Sequence, residues 1–244
     1  MGYHPRERGT CPSGQSIMDL IHFRHKIEIP ASEESINYIN QYKTFWAWKI
    51  DVEQKSYSHI LDSEHKEETS RRLLEILPSW QTYRGVQCSY RSVLPITLSE
   101  IAHAYNEIRQ YSLLEFNEVP DEPLRLLWEA FGLVKEPSGR RRVNLDYFII
   151  SVCKPLMFLW GQTLAFDSRN RKNIRKDNSI QLRNYIPAAS RWTYSNWKTV
   201  MQGLQRELLQ KLDIIDFCQS HSYSIFGSNS IVPYGRFLDI YYYY

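Results

Sequence analysis

"IISVCKPLMFLWGQTLAFDSRNRKNIRK", from Ile149 to Lys176, sets the expectation for the whole chain. Its first half is apolar and aromatic, and its second half carries five bases: Arg169, Arg171, Lys172, Arg175 and Lys176. Between them stands one acid, Asp167, followed by Ser168. Leu145, Phe148, Ile149 and Val152 fit one face of a helix. Pro155 lacks an N–H and clashes with the turn before it, so a kink or a restart is expected there. Lys154 then sits at a break. It reads as a surface residue with its stem on apolar neighbours, as a phosphate or substrate contact, or as a Schiff-base nucleophile. Gly161 should end the apolar helix. Asp167 should open the basic one as its cap, a position worth about 1 kcal/mol.

Outward from this stretch the pattern stays helical. Helices are predicted from Ser32 through Tyr42, from near Ser63 to Pro78, from Asp121 to a cap at Gly132, and from near Ser195 through Leu212. Thr97 and Glu100 suggest a capping box before a helix bearing Leu98, Ile101, Tyr105 and Ile108. Asp146 reads as a first-turn helix acid. Strand signals are weak, with "RSVLPIT" and the terminal "FLDIYYYY" as the only extended candidates. The expected fold is all-α, with about eight to ten helices in two lobes. A flexible leader over 1–16 would precede lobes over 17–132 and 140–244, joined by "KEPSG".

Composition narrows the function classes. Apolar residues form 43% of 244, enough for a sizeable core, and the formal charge is only +3. That charge is unevenly placed. From Ser99 to Glu129 there are seven acids and two bases, whereas from Gly139 to Arg183 there are ten bases and three acids. A local excess of +7 is what a phosphate backbone would recognise. Arg140, Arg141, Arg142, Arg169, Arg171 and Lys172 are the candidate phosphate contacts.

Four scattered cysteines give neither a metal knuckle nor a disulfide framework. The histidine spacings (His22 with His25, His59 with His65) match no metal motif, so no metal and no cofactor are expected. There is no Gly-rich phosphate loop, no GxSxG and no apolar run of about 18 residues. A cytoplasmic protein is expected, with no membrane and with a nucleic acid as the partner the basic stretch suggests.

Cys153-Lys154-Pro155-Leu156-Met157-Phe158-Leu159, followed by Phe166-Asp167-Ser168, resembles the stretch that ends in the catalytic aspartate of helix-hairpin-helix DNA glycosylases and their divergent bacterial relatives. "GRFLDIYYYY" is similar to the close of those relatives, where a helix ending in aromatics packs back on the core. The resemblance covers about 25 residues well. The glycine-rich hairpin before Lys154 and the cluster cysteines of some members are absent. The gap of 13 from Lys154 to Asp167 is shorter than in lyase-type members.

The resemblance implies a monofunctional glycosylase with DNA, double-stranded rather than single-stranded, as its partner. It would flip a nucleotide out of the stack and cleave its N-glycosidic bond, with Asp167 stabilising the sugar cation and activating water. Lys154 would be an accessory group. A flipped base needs a stacking surface, for which Trp160, Phe166, Trp192, Trp46 and Trp48 are the candidates. The missing hairpin suggests an unusual, modified base, as in phage DNA, and hence a role in defence. Two rivals remain: a basic module that binds nucleic acid without chemistry, and a helical nuclease or toxin, which would need a second acid or a histidine near Asp167.

Overall fold

The computed structural model describes residues 18–29, 32–55, 58–83, 87–135, 146–176, 185–187, 189–228 and 230–244. These residues are mostly helical. The helices in chain order are α1 (Leu20–Glu28), α2 (Glu33–Lys55), α3 (Lys66–Ile76), α4 (Gln87–Glu100), α5 (Ala102–Ile108), α6 (Asp121–Lys135), α7 (Ile149–Trp160), α8 (Ser168–Lys176), α9 (Tyr194–Leu209), α10 (Leu212–Phe226) and α11 (Tyr234–Tyr243). A 3₁₀ segment covers Leu113–Glu118. Strands β1 (Tyr147–Phe148) and β2 (Arg191–Trp192) form one short antiparallel pair, with Tyr147 opposite Trp192. The helices exceed the predicted number because both stretches expected to be extended are helical, in α4 and α11, and the one helix predicted from near Ser195 through Leu212 is two, α9 and α10. The leader 1–16, the joining "KEPSG" after Lys135 and Arg140–Arg142 lie outside the described residues.

α7 is the axis of the core. All of its residues except Ile150 are buried. A helix buried on every side needs no amphipathic stripe, and its stability comes from packing rather than propensity. That explains Pro155: α7 passes through it unbroken. The carbonyls at the helix end are met by neighbours, as the hydroxyl of Tyr105 donates to Leu159 O at 3.0 Å and Gly161 N to Met157 O at 2.9 Å. α6 packs on α7, α1 on α11 and α2 on α10, so both halves of the sequence feed one buried cluster from Met18 to Tyr242.

Several local expectations give way to this packing. "RSVLPIT" lies inside α4, which carries Pro95 and buries Leu94 and Leu98. "FLDIYYYY" is helical in α11 up to Tyr243. Thr97 is buried within α4 and opens no helix. Gly132 lies inside α6, where an added Cβ would come within 2.2 Å of the Tyr147 ring, so it serves close approach and not a cap. Asp146 precedes β1 and belongs to no helix. Leu212 opens α10, because the preceding helix ends at Leu209.

Candidate active site

The segment between α7 and α8 is where the helical core turns towards solvent. Gly161 takes φ +77°, and a Cβ there would meet the Trp46 ring at 2.4 Å. Only glycine suits that turn. Gln162 is fully buried and tied at both ends, accepting from Leu113 N at 2.9 Å and donating to Val232 O at 3.0 Å. Phe166 then adopts φ +51°, left-handed for a bulky residue, at a cost of about 1–2 kcal/mol. Its ring is buried against Trp192, with centroids 5.2 Å apart.

This turn delivers Asp167 to the start of α8. Its Oδ1 accepts from Arg169 N at 2.8 Å and Asn170 N at 3.0 Å, so the acid is a helix cap as the sequence predicts. Oδ2 takes no hydrogen bond from the described residues, and the side chain is half-buried at a cavity. The cap uses one carboxylate oxygen.

The cavity measures about 460 Å³, within the range of sites for small organic groups. Its lining includes Lys154, Arg236 and Asp239 and the aromatic residues Tyr38, Trp80, Phe148, Tyr243 and Tyr244. Thr82, Ala165, Asp167 and Arg169 also line it.

Lys154 is not the surface residue its local sequence suggested. It is 8% exposed, and its Nζ donates to the carbonyl of Trp80. The core position of α7 puts it there. Burial pushes its pKa below the ordinary 10.5, with Arg236 acting in the same direction and the Asp167 and Asp239 charges opposing.

Asp239 is the second acid of the site, and the sequence reading missed it. It is 2% exposed, pairs with the Arg236 guanidinium, and accepts from Ala165 N on Oδ1 at 2.8 Å. Burial raises its pKa and the Asp167 charge adds to that, while Arg236, the Ala165 N–H and Lys154 act against it. The Arg236 guanidinium lies 4.9 Å from the Trp80 ring centroid and 5.3 Å from that of Tyr42. The signal in the sequence was the pair of charges three residues apart in an otherwise apolar, aromatic terminal helix.

The aromatics expected at a base pocket lie elsewhere. Trp46, Trp160, Phe166 and Trp192 are buried in the core, where Trp160 Nε1 donates to Tyr111 O at 2.9 Å. Trp48 is half-buried under the Arg72 guanidinium, 4.6 Å from its centroid. None of the five lines the cavity. Large rings are buried first because they carry the most apolar area, so the sequence tags for stacking also marked the core.

Among the basic candidates, Arg169 is exposed at the cavity with its guanidinium 4.9 Å from the Tyr243 ring centroid. Lys172 is exposed, whereas Arg171 is half-buried and donates to Ala189 O at 3.4 Å. α8 therefore turns Asn170 and Ile174 inward and presents bases outward, next to the cavity. No group of three His, Cys, Asp or Glu residues that could hold a metal occurs among the described residues, and no described helix is long and apolar enough to cross a membrane.

Compared with protein-family models, curated proteins and solved structures, the chain gives no significant match.

Proposed function

We propose that the protein is a DNA glycosylase that hydrolyses the N-glycosidic bond of a flipped, modified nucleotide, with Asp167 as the reacting carboxylate. The observation that carries this reading is the division of labour at Asp167, where one oxygen caps α8 and the other takes no hydrogen bond from the described residues, at a cavity beside a basic helix. A base inside a duplex hides its glycosidic bond, so the nucleotide must leave the stack. Phosphates on either side of the flipped nucleotide would rest on Arg169 and Lys172, and on Arg140–Arg142. The base would enter between Trp80, Tyr38 and Tyr243.

As the C1′–N bond breaks, its electron pair leaves with the base and C1′ becomes cationic. Asp167, fixed by its cap bonds and needing no reorganisation, stabilises that cation. Water attacks C1′ and gives its proton to the carboxylate, and the departing base takes up a proton from solvent. The products are a free base and an abasic sugar. Lys154, held against the Trp80 carbonyl, lines the same cavity.

We favour a modified base and a role in defence against phage carrying such DNA. This follows the missing phosphate-binding hairpin noted in the sequence. Lys154 supports a second reading, since a buried amine with a lowered pKa beside a carboxylate is suited to attack at C1′. Borohydride trapping separates the two, because only the amine mechanism leaves a protein–DNA crosslink.

The test is release of free base and formation of alkali-labile sites on a panel of unmodified DNA, DNA with common lesions, and DNA with bulky modified cytosines. Release from one class establishes the activity. Binding without release across the panel assigns the basic face to a non-catalytic module, and strand breaks without alkali and without release of free base assign the site to a nuclease.

A further inference from the structure

α11 approaches the Asp167 turn more closely than packing of a terminal helix requires. A Cβ on Gly235 would lie 2.3 Å from both the carbonyl carbon of Gln162 and the nitrogen of Thr163, so the two backbones touch without a side chain between them. Arg236 N donates to Gly161 O at 3.3 Å. One turn further on, Asp239 holds the same segment twice: Oδ1 accepts from Ala165 N at 2.8 Å, and its backbone carbonyl accepts from Asn170 Nδ2 at 2.9 Å. These two bonds flank Phe166 and Asp167. Phe166 is the bulky residue with positive φ, a conformation kept only where its surroundings fix it.

We propose that Asp239 is a positioning residue for Asp167: by gripping Ala165 N–H on one side and the first turn of α8 on the other, it sets the carboxylate towards the cavity. The inference rests on the reading of Asp167 as the reacting group, and it assigns Asp239 no contact with substrate. Arg236 supplies the counter-charge that lets a carboxylate occupy a fully buried site. The choice of an acid is then understandable. A carboxylate can accept from the Ala165 N–H and the Arg236 guanidinium together, and a charge-assisted bond to a backbone N–H is stronger than a neutral one.

Two double variants isolate this bond without leaving an orphaned charge. R236Q/D239N keeps an acceptor for Ala165 N–H, whereas R236Q/D239L removes it at similar volume. The first readout, independent of activity, is hydrogen exchange at Arg169 and Asn170, whose amides bond to Asp167 Oδ1. In R236Q/D239L these two amides should exchange about tenfold faster than in R236Q/D239N, as expected on losing a cap, while amides in α9 do not change. The second readout is base release, where kcat should differ by up to about 10²-fold between the two variants and KM within about twofold.

Equal exchange at Arg169 and Asn170 in the two variants overturns the proposal, with or without activity. The exchange difference in a protein that releases no base removes the glycosylase reading and leaves the positioning role standing. Should R236Q/D239L not fold, Asp239→Glu keeps the ion pair and displaces the acceptor by one methylene, with the same local loss of protection expected. Unchanged exchange in that variant overturns the proposal equally.

Discussion

Asp239 and Ala165, 74 residues apart, are joined at 2.8 Å by a carboxylate and a backbone N–H, and that bond ends two residues before Asp167. Gly235, on the same helix, makes the approach possible, because any side chain there would collide with the backbone of Gln162 and Thr163. Gly235→Ala should therefore cost about 1–3 kcal/mol, the range for overpacking a tight site. Base release should fall further than the folded fraction does. A thermal midpoint together with activity measured below it checks this, and unchanged values of both would show that the turn yields freely.

Lys154 predicts a pH signature. Burial lowers the folded pKa of its amine below 10.5, so folding favours the neutral amine. That contribution is fully present above 10.5 and is lost as pH falls through the folded value. The stability of the wild type should therefore rise relative to Lys154→Met as pH climbs towards the ordinary lysine pKa. Urea unfolding of both proteins across that window tests it, and parallel curves would mean that the amine titrates as it does in water.

The two classes of aromatic residue should separate cleanly. Trp160 is 1% exposed, with its indole N–H bonded to Tyr111 O, so Trp160→Ala should destabilise by about 3–5 kcal/mol. Tyr243 lines the cavity and carries Arg169 on its ring. Tyr243→Ala should leave the fold intact and lower kcat/KM by about tenfold, a typical loss for one base-stacking surface. Calorimetry and steady-state kinetics on the pair are sufficient.

Lys172 is exposed on α8 and has no role in the core. Lys172→Ala should weaken DNA binding alike on all sequences and reduce the slope of log K against log salt by about 0.9, the value for one phosphate contact. A change in sequence preference with no change in slope would place Lys172 away from the backbone.

What could be read from the sequence follows from the range over which each signal acts. The end of α7 at Gly161 and the cap at Asp167 are local, set by φ and by orphan N–H groups, and both are where the sequence puts them. Pro155 misled because local propensity was overridden by burial on all sides. The same cause hid Lys154, whose burial is decided by the rest of the core packed round α7. Asp239 was invisible for a different reason. Its partners, Arg236 apart, lie in another segment, and only folding α11 onto the 161–167 turn gives that acid a role. The clustering of bases in "SRNRKNIRK" was legible, because charge on one short helix needs no tertiary information.

The most direct measurement is single-turnover base release by wild type and Asp167→Asn on whichever substrate of the panel the wild type cleaves. Asparagine caps a helix about as well as aspartate, so the thermal midpoint should scarcely move. Without the negative charge, release should fall by at least about 10³-fold, while DNA affinity stays within about threefold. An Asp167→Asn protein that releases base at the wild-type rate would show Asp167 to be a cap and nothing more.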